Sequence, residues 1–249
     1  MEIKRAVSIC TYNRASHLAD VVESVLDTVP NGTDVFVCDD GSTDTTAKEI
    51  GRFKNVTYLR GPNLGVAYNK NRALWLMKDH HFSCILEDDL MAVDKGWFET
   101  YEAVSVLTDI HHFCRIQDKT VPESRPEFTT YLKAALNLTP IYASSPRGDL
   151  TFLTKKVIST IGGFNPEFKG VGYAHGEWSK RAIKAGLVSH PNGWVDIKEA
   201  RDKFTQVGDT IGGRWNEDER EIKEQLKRNR LVAKNLGKTD YLYCPIRIQ

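Results

Sequence analysis

Three consecutive acids, Glu87, Asp88 and Asp89, follow an apolar run at Phe82–Leu86. Charge at the end of a buried segment is costly unless a cation meets it. Carboxylate oxygens suit a hard divalent ion, and magnesium takes one or two of them together with substrate phosphates. A solvated strand end is the other reading of the same three residues. Two further rims carry polar chemistry. Cys10-Thr11-Tyr12-Asn13-Arg14 closes the run Ala6–Cys10, and Cys38-Asp39-Asp40-Gly41-Ser42-Thr43-Asp44 closes Val35–Cys38. An aromatic face, amides and carboxylates on one rim suit a nucleobase and ribose. Asp-Gly-Ser-Thr-Asp also meets the needs of a turn and an N-cap. Two aspartates directly behind an apolar strand tilt the choice toward function.

A third stretch, Gly61 to Arg72 (GPNLGVAYNKNR), places Asn63 and Gly65 ahead of a helical pattern. A helix N-terminus offers free N–H groups and partial positive charge to an anion. Arg72, within that helix, would reach a phosphate or pair a carboxylate. The GxxxxGK[ST] phosphate loop is absent. The fourth stretch is Gly162-Gly163-Phe164-Asn165-Pro166-Glu167-Phe168, then Gly170 to Arg181 (GVGYAHGEWSKR). Glu177, at the start of a helix, would take a proton from a substrate hydroxyl, or simply complement the helix dipole. His190 is a candidate metal ligand or a packing residue. His80-His81 and His111-His112 lack a carboxylate context and receive no role.

These residues need elements to hold them. The runs Ala6–Cys10, Val35–Cys38, Val56–Leu59 and Phe82–Leu86 have strand length and β-branched content. Between them, Leu18, Val21, Val22, Val25, Leu26 and Val29 recur at helical spacing behind Ser16 as N-cap, and Thr43–Ile50 and Val66–Met77 read as further helices. Such alternation predicts βαβ units and a mainly parallel sheet, with ligands beyond the carboxyl ends of the strands. Past residue 90 the pattern loosens. Helices are expected over Asp94–Leu107, Lys155–Ile161, Glu177–Gly186 and Glu217–Leu236, a strand at Thr151–Leu153, and loops at 117–126 and 208–213. The last helix is basic, with Ile222, Leu226, Ala233 and Leu236 on one face.

The 249 residues include 41% apolar and 27% charged, a globular balance, and 34 basic against 33 acidic residues leave a net charge of +1. That total excludes a histone-like polycation or an acidic tail. A chain of this size buries roughly 70% of its extended surface without staples. Five widely spaced cysteines with no CxxC pair argue against zinc ribbons, and Cys10, Cys38 and Cys84 read as buried free thiols. No apolar run approaches the ~20 residues that cross a bilayer, and Met1–Arg5 has no signal-peptide core. A cytoplasmic location is the expectation.

In this order and spacing, Thr11-Tyr12-Asn13-Arg14, Asp39 to Asp44, Asn63-Leu64-Gly65 with Asn71-Arg72, Glu87-Asp88-Asp89, Gly162-Gly163-Phe164, and Gly176-Glu177 followed by Arg181 and Gly186 resemble the family 2 glycosyltransferases with the GT-A fold, over about residues 5 to 190. The resemblance implies one GT-A domain, α/β and Rossmann-like, across 1–249. Residues 1–90 would form the nucleotide-binding half, 91–195 the acceptor and catalytic half, and 196–249 a helical extension. It implies transfer of a sugar from a nucleoside diphosphate donor, a UDP-sugar by preference, to a hydroxyl acceptor, usually with inversion. Thr11, Tyr12 and Asp39 would contact nucleobase and ribose. Asn13, Arg14, Asp40, Asn63, Gly65, Asn69, Arg72, Glu87 and Asp88 would complete the nucleotide-sugar site. Glu87-x-Asp89 matches the DxD motif, with Asp89 as ligand to Mn2+ or Mg2+ and His190 as a further metal ligand. Glu177 matches the acid of the "ED" motif, the general base.

Two departures stand out: the DxD motif begins with Glu, and the second acid of "ED" is Trp178. Lys223, Lys227, Arg228, Arg230, Lys234 and Lys238 give the last helix either an ordinary solvated face or a footing for an anionic acceptor. Nucleic acid, a phosphorylated polymer and a lipid phosphate all qualify. Two rival functions share the sheet: a sugar-phosphate nucleotidyltransferase, which wants a Gly-rich basic loop where Cys10–Arg14 has none, and a non-catalytic nucleotide-sugar-binding module.

Overall fold

The computed structural model describes residues 2–107, 110–115, 126–143, 146–188, 194–207, 219–239 and 241–248. Its first part runs β1 (Arg5–Thr11), α1 (Ala15–Thr28), β2 (Asp34–Asp39), α2 (Thr46–Ile50), β3 (Val56–Arg60), α3 (Val66–Met77) and β4 (Phe82–Glu87). It continues through β5 (Leu90–Ala92), α4 (Trp97–Leu107), β6 (His112–Cys114), α5 (Pro126–Leu136), β7 (Pro140–Ala143), β8 (Leu150–Thr154), α6 (Lys155–Ile161) and α7 (Ala174–Lys184). The last elements are β9 (Trp194–Ile197), α8 (Lys198–Arg201), β10 (Phe204–Gln206) and α9 (Glu219–Leu236). The expected 208–213 loop, His190 and nearly all of the 117–126 loop lie outside the described residues.

One six-stranded sheet has the order β3-β2-β1-β4-β8-β6. β1 pairs parallel with β2 on one side and with β4 on the other. Residues of β1 and β4 are buried on both faces, as the uninterrupted apolar runs require of strands covered by helices. The chain order reverses between β1 and β4, so the crossovers diverge there and open a crevice at the carboxyl edge. Register then fixes which residues meet: Thr11 faces Asp39, and Cys10 lies between Cys38 and Glu87.

Beyond β4 the parallel rule stops. β8 pairs antiparallel with β4, Leu86 opposite Leu150, and β6 pairs antiparallel with β8. The turn before β8 therefore sits at the same edge as Glu87, whose N–H donates to the Asp149 carbonyl at 2.9 Å. Two small sheets, β5 with β10 and β7 with β9, were not expected. Strands of three or four residues are too short to show a period.

Two local expectations need correction. Ser16 does not cap α1; it lies inside the helix, whose N-cap is Arg14, and the Ala15 N–H donates instead to Asp44 Oδ2 at 3.1 Å. The cap comes from the loop after β2, which the parallel pairing carries over the start of α1. That loop also delays α2 to Thr46, because the Thr43 N–H is committed to Asn13 Oδ1 at 2.7 Å. α3 and α6 have the expected bounds, and all five cysteines are free and buried.

Candidate active site

The carboxyl edge of β1 and β2 is stitched from side chains of its own loops. Asp39, fully buried, accepts from the Ser42 N–H at 2.8 Å, the Ser42 hydroxyl at 2.6 Å and the Tyr58 hydroxyl, with the Arg60 guanidinium 3.7 Å away. Burial, then Asp39, pushes the Tyr58 phenol pKa up, so it remains a donor. Asn13 takes a positive φ of 54°; its N–H donates to Ser42 Oγ at 2.8 Å. These bonds leave Tyr12 41% exposed on the rim, an aromatic residue on which a planar ring can stack.

Asp40, Gly65, Asn69 and Arg72 also come together, but with one another. Asp40 accepts from the Leu64 and Gly65 N–H groups at 3.1 and 2.8 Å, and from Arg72 Nη1 at 2.9 Å. The anion expected at the N-terminus of α3 is thus supplied by the protein's own Asp40. Arg72 is buried and spends further donors on the Pro62 carbonyl (2.7 Å) and Asn69 Oδ1 (3.2 Å), while Asn69 donates to the Cys38 carbonyl at 2.8 Å. Of the two roles open to Arg72, the structure gives it the carboxylate. Asn63 stands exposed beside this network.

The acids after β4 meet a cation that the sequence did not single out. Lys70, only 1% exposed, places Nζ 2.7 Å from Glu87 Oε1 and donates to the Gly148 carbonyl at 2.5 Å. Burial disfavours its charge, but Glu87, with Cys10 and Asp149 behind it, outweighs that and the pKa is raised. One signal was available: α3 carries the polar run Asn69-Lys70-Asn71-Arg72 where a helix against a sheet should be apolar. Asp88 is buried, with Arg14 Nε 4.0 Å away and the Tyr12 N–H at 3.4 Å; burial pushes its carboxyl up to about 7. Asp89 accepts from Gln206 Nε2 at 3.1 Å through Oδ2, whereas its Oδ1 is buried without a hydrogen-bond partner. An orphaned buried carboxylate oxygen is a fitting ligand for a hard cation. Among the described residues no three His, Cys, Asp or Glu side chains converge on one point. An ion there would draw other ligands from substrate or water.

Glu87 and Lys70 line a cavity of about 790 Å³ whose far side is α7 and α9. Tyr173, at φ 69°, turns the chain into α7 and sets Glu177 in the first turn, its N–H on the Tyr173 carbonyl at 2.9 Å. Glu177 lines the same cavity at 9% exposure. Arg181 grips it through Nε (2.7 Å to Oε1) and Nη2 (3.1 Å to Oε2), and the Tyr241 hydroxyl donates to Oε1 at 2.7 Å. Trp178 is core: it stacks on Phe164 with centroids 4.9 Å apart and donates to the Gly162 carbonyl at 2.9 Å. The second "ED" position therefore has no acid–base role. His175 and Trp194 also line the cavity, and their ring nitrogens are buried without hydrogen-bond partners. Burial drives the His175 pKa well below its usual value, leaving a neutral ring. Nothing in the sequence singled out Trp194 or Tyr241.

Residues 6–102 match the family model described as glycosyl transferase family 2. Chondroitin synthase of Pasteurella multocida (strain Pm70) is 30% identical over 93 residues, 36% of this chain and 10% of that protein. The chain thus matches only about a tenth of the length of this curated relative. Glucosyl-3-phosphoglycerate synthase from Mycobacterium tuberculosis, in a crystal structure with Mn2+, UDP and glucosyl-3-phosphoglycerate, superposes with a TM-score of 0.57 at 15% identity, covering 95% of this chain and 79% of that one. GalNAc-T7, with UDP, GalNAc and Mn2+, gives 0.58 at 15% identity over 71% of this chain and 40% of that one.

Proposed function

We propose, for a chain whose fold is GT-A and whose residues 6–102 match the family 2 glycosyltransferases, that it moves a sugar from a UDP-sugar to a hydroxyl acceptor with inversion. The observation that carries this reading is the shared cavity, which has Glu87, at the end of β4, on one wall and Glu177, at the start of α7, on another. The acceptor oxygen bonds to the anomeric carbon as the bond from that carbon to the diphosphate oxygen breaks. The bonding pair leaves with the diphosphate, and the acceptor proton passes to Glu177. Tyr12 offers a stacking face for the base, on a rim that the buried Asp39–Ser42 turn holds in place.

The family resemblance implies a divalent cation, Mn2+ or Mg2+, and the orphaned Asp89 Oδ1 fits it, with Glu87 and Asp88 adjacent. Bound there, it would neutralise charge building on the leaving diphosphate. UDP and Mn2+ in the two structures above support both choices.

Thermal unfolding with UDP-, GDP-, CDP- and dTDP-sugars, with and without Mn2+, tests the donor. Ligand at 100 times Kd raises native stability by about 2.7 kcal/mol. The expected result is a Mn2+-dependent shift with UDP-sugars that is lost in Asp89→Asn. A panel with no metal-linked shift for any nucleotide would sink the reading. A second reading, a binding module without turnover, draws on the grip of Arg181 and Tyr241 on Glu177. It predicts UDP binding, no transfer, and indifference to Glu177→Gln. A nucleotidyltransferase would instead release pyrophosphate from sugar 1-phosphate and a nucleoside triphosphate.

For the acceptor we favour a phosphate-bearing chain. Lys223, Lys227, Arg230 and Lys234 are exposed and recur at i, i+4, i+7 and i+11, one stripe about 16 Å long. α9 packs on α7, whose Lys180 and Lys184 line the cavity. Arg228 is drawn off the stripe to donate to the Lys169 carbonyl at 2.6 Å. Reversing Lys227, Arg230 and Lys234 to Glu is expected to weaken acceptor binding. The slope of log K against log salt should fall by roughly one for each phosphate no longer neutralised. An unchanged slope would make the stripe a solvated face.

A further inference from the structure

The Gly162-Gly163 pair has a structural use that its place in the motif did not disclose. The segment 241–248 runs directly against it: the Gly163 N–H donates to the Cys244 carbonyl at 2.7 Å, and the Cys244 N–H to the Ile161 carbonyl at 3.1 Å. A Cβ on Gly162, which sits at φ +67°, would lie 1.9 Å from that Cys244 oxygen, and backbone cannot yield there. Glycine lets the segment close, and closure brings Tyr241 into the cavity wall.

We propose that Tyr241 is a positioning residue for the reaction, holding Glu177 so that a single lone pair, on Oε2, faces the acceptor proton. A carboxylate has about four acceptor sites. Arg181 Nε and the Tyr241 hydroxyl take both on Oε1, and Arg181 Nη2 takes one on Oε2. One site remains. The phenol is itself fixed: Asn165 Nδ2 lies 3.4 Å from its oxygen, and the Arg181 guanidinium lies 5.3 Å from its ring centroid. Burial, then Glu177, raises the phenol pKa, so the proton stays on Tyr241. The remaining Arg181 donors hold the Gly163 carbonyl at 2.7 Å, the Ile161 carbonyl, and the Leu242 carbonyl at 3.5 Å, tying helix, glycine pair and the 241–248 segment into one unit. Tyr241 lies 139 residues beyond the segment matched to the family model, which ends at 102.

This inference rests on Glu177 as the base, and a double-mutant cycle separates the two. Tyr241→Phe is expected to lower kcat about tenfold or more with KM for donor and acceptor unchanged, the loss of one hydrogen bond to a charged group. In a Glu177→Gln background the same change is expected to have no further effect. Gly162→Ala, read beside it, is expected to lose activity and to open the segment 241–248 to limited proteolysis by an endoprotease, while Tyr241→Phe keeps wild-type resistance. Equal losses from Tyr241→Phe in both backgrounds, or a rise in KM alone, overturn the proposal. So does wild-type turnover in Tyr241→Phe when Glu177→Gln is crippled, which leaves the base reading standing. Wild-type turnover in Glu177→Gln overturns both.

Discussion

Glu177→Gln is expected to lower kcat by about 100- to 10,000-fold with little change in donor affinity, the range for loss of a positioned general base. Glutamine keeps the shape and one accepting oxygen for Arg181 but cannot take a proton. The size of the effect follows from the lining of the cavity. Among the described residues its carboxylates are Glu87 and Glu177, and Glu87 is engaged by Lys70 at 2.7 Å. Trp178 stands where a second acid would be, and an indole in the core moves no proton. Rate constants with the UDP-sugar found in the thermal panel, and the product anomer read by proton NMR, check the point. Turnover at the wild-type rate, or a retained anomer, would remove Glu177 from the role.

Arg72→Met is expected to cost about 3 kcal/mol of folding stability, the low end for stranding one partner of a buried ion pair. The low end applies because the Leu64 and Gly65 N–H groups still reach Asp40. Had Arg72 faced the donor, the same change would leave stability alone and weaken nucleotide binding. Urea unfolding beside a UDP titration distinguishes the two: a change confined to affinity would return Arg72 to the ligand. The sequence signals the right chemistry at this residue, a cation for an anion, but the anion belongs to the protein. Asp40 is 32 residues away in sequence and comes close because β1 and β2 pair in parallel and α3 crosses behind them.

The strand ends were legible because each joins an apolar run to a polar cluster within a few residues, and the parallel register follows from the alternation of elements. Thr11, Asp39 and Glu87 could be set on one edge from letters alone. The cap of α1 by Asp44, the delayed start of α2 and the short strands β5, β6, β7, β9 and β10 could not. Each depends on what lies across a loop rather than on local preference. Local sequence allows Glu177 to be a helix-start acid or a base; its partners decide how it is held, and Tyr241 is 64 residues distant.

The amino-acid order alone determined the class of sheet, the edge at which polar residues gather and the family they resemble, since these follow from periodicity and from contiguous motifs. Only the folded chain decided how the charges divide. Lys70 neutralises Glu87, Arg72 is spent on Asp40, and the segment 241–248 closes over two glycines to steady Glu177. Electrostatic partnership depends on distances of a few ångströms in a medium of low polarity. Such distances are set by crossing connections and close packing, which leave no local trace in a sequence.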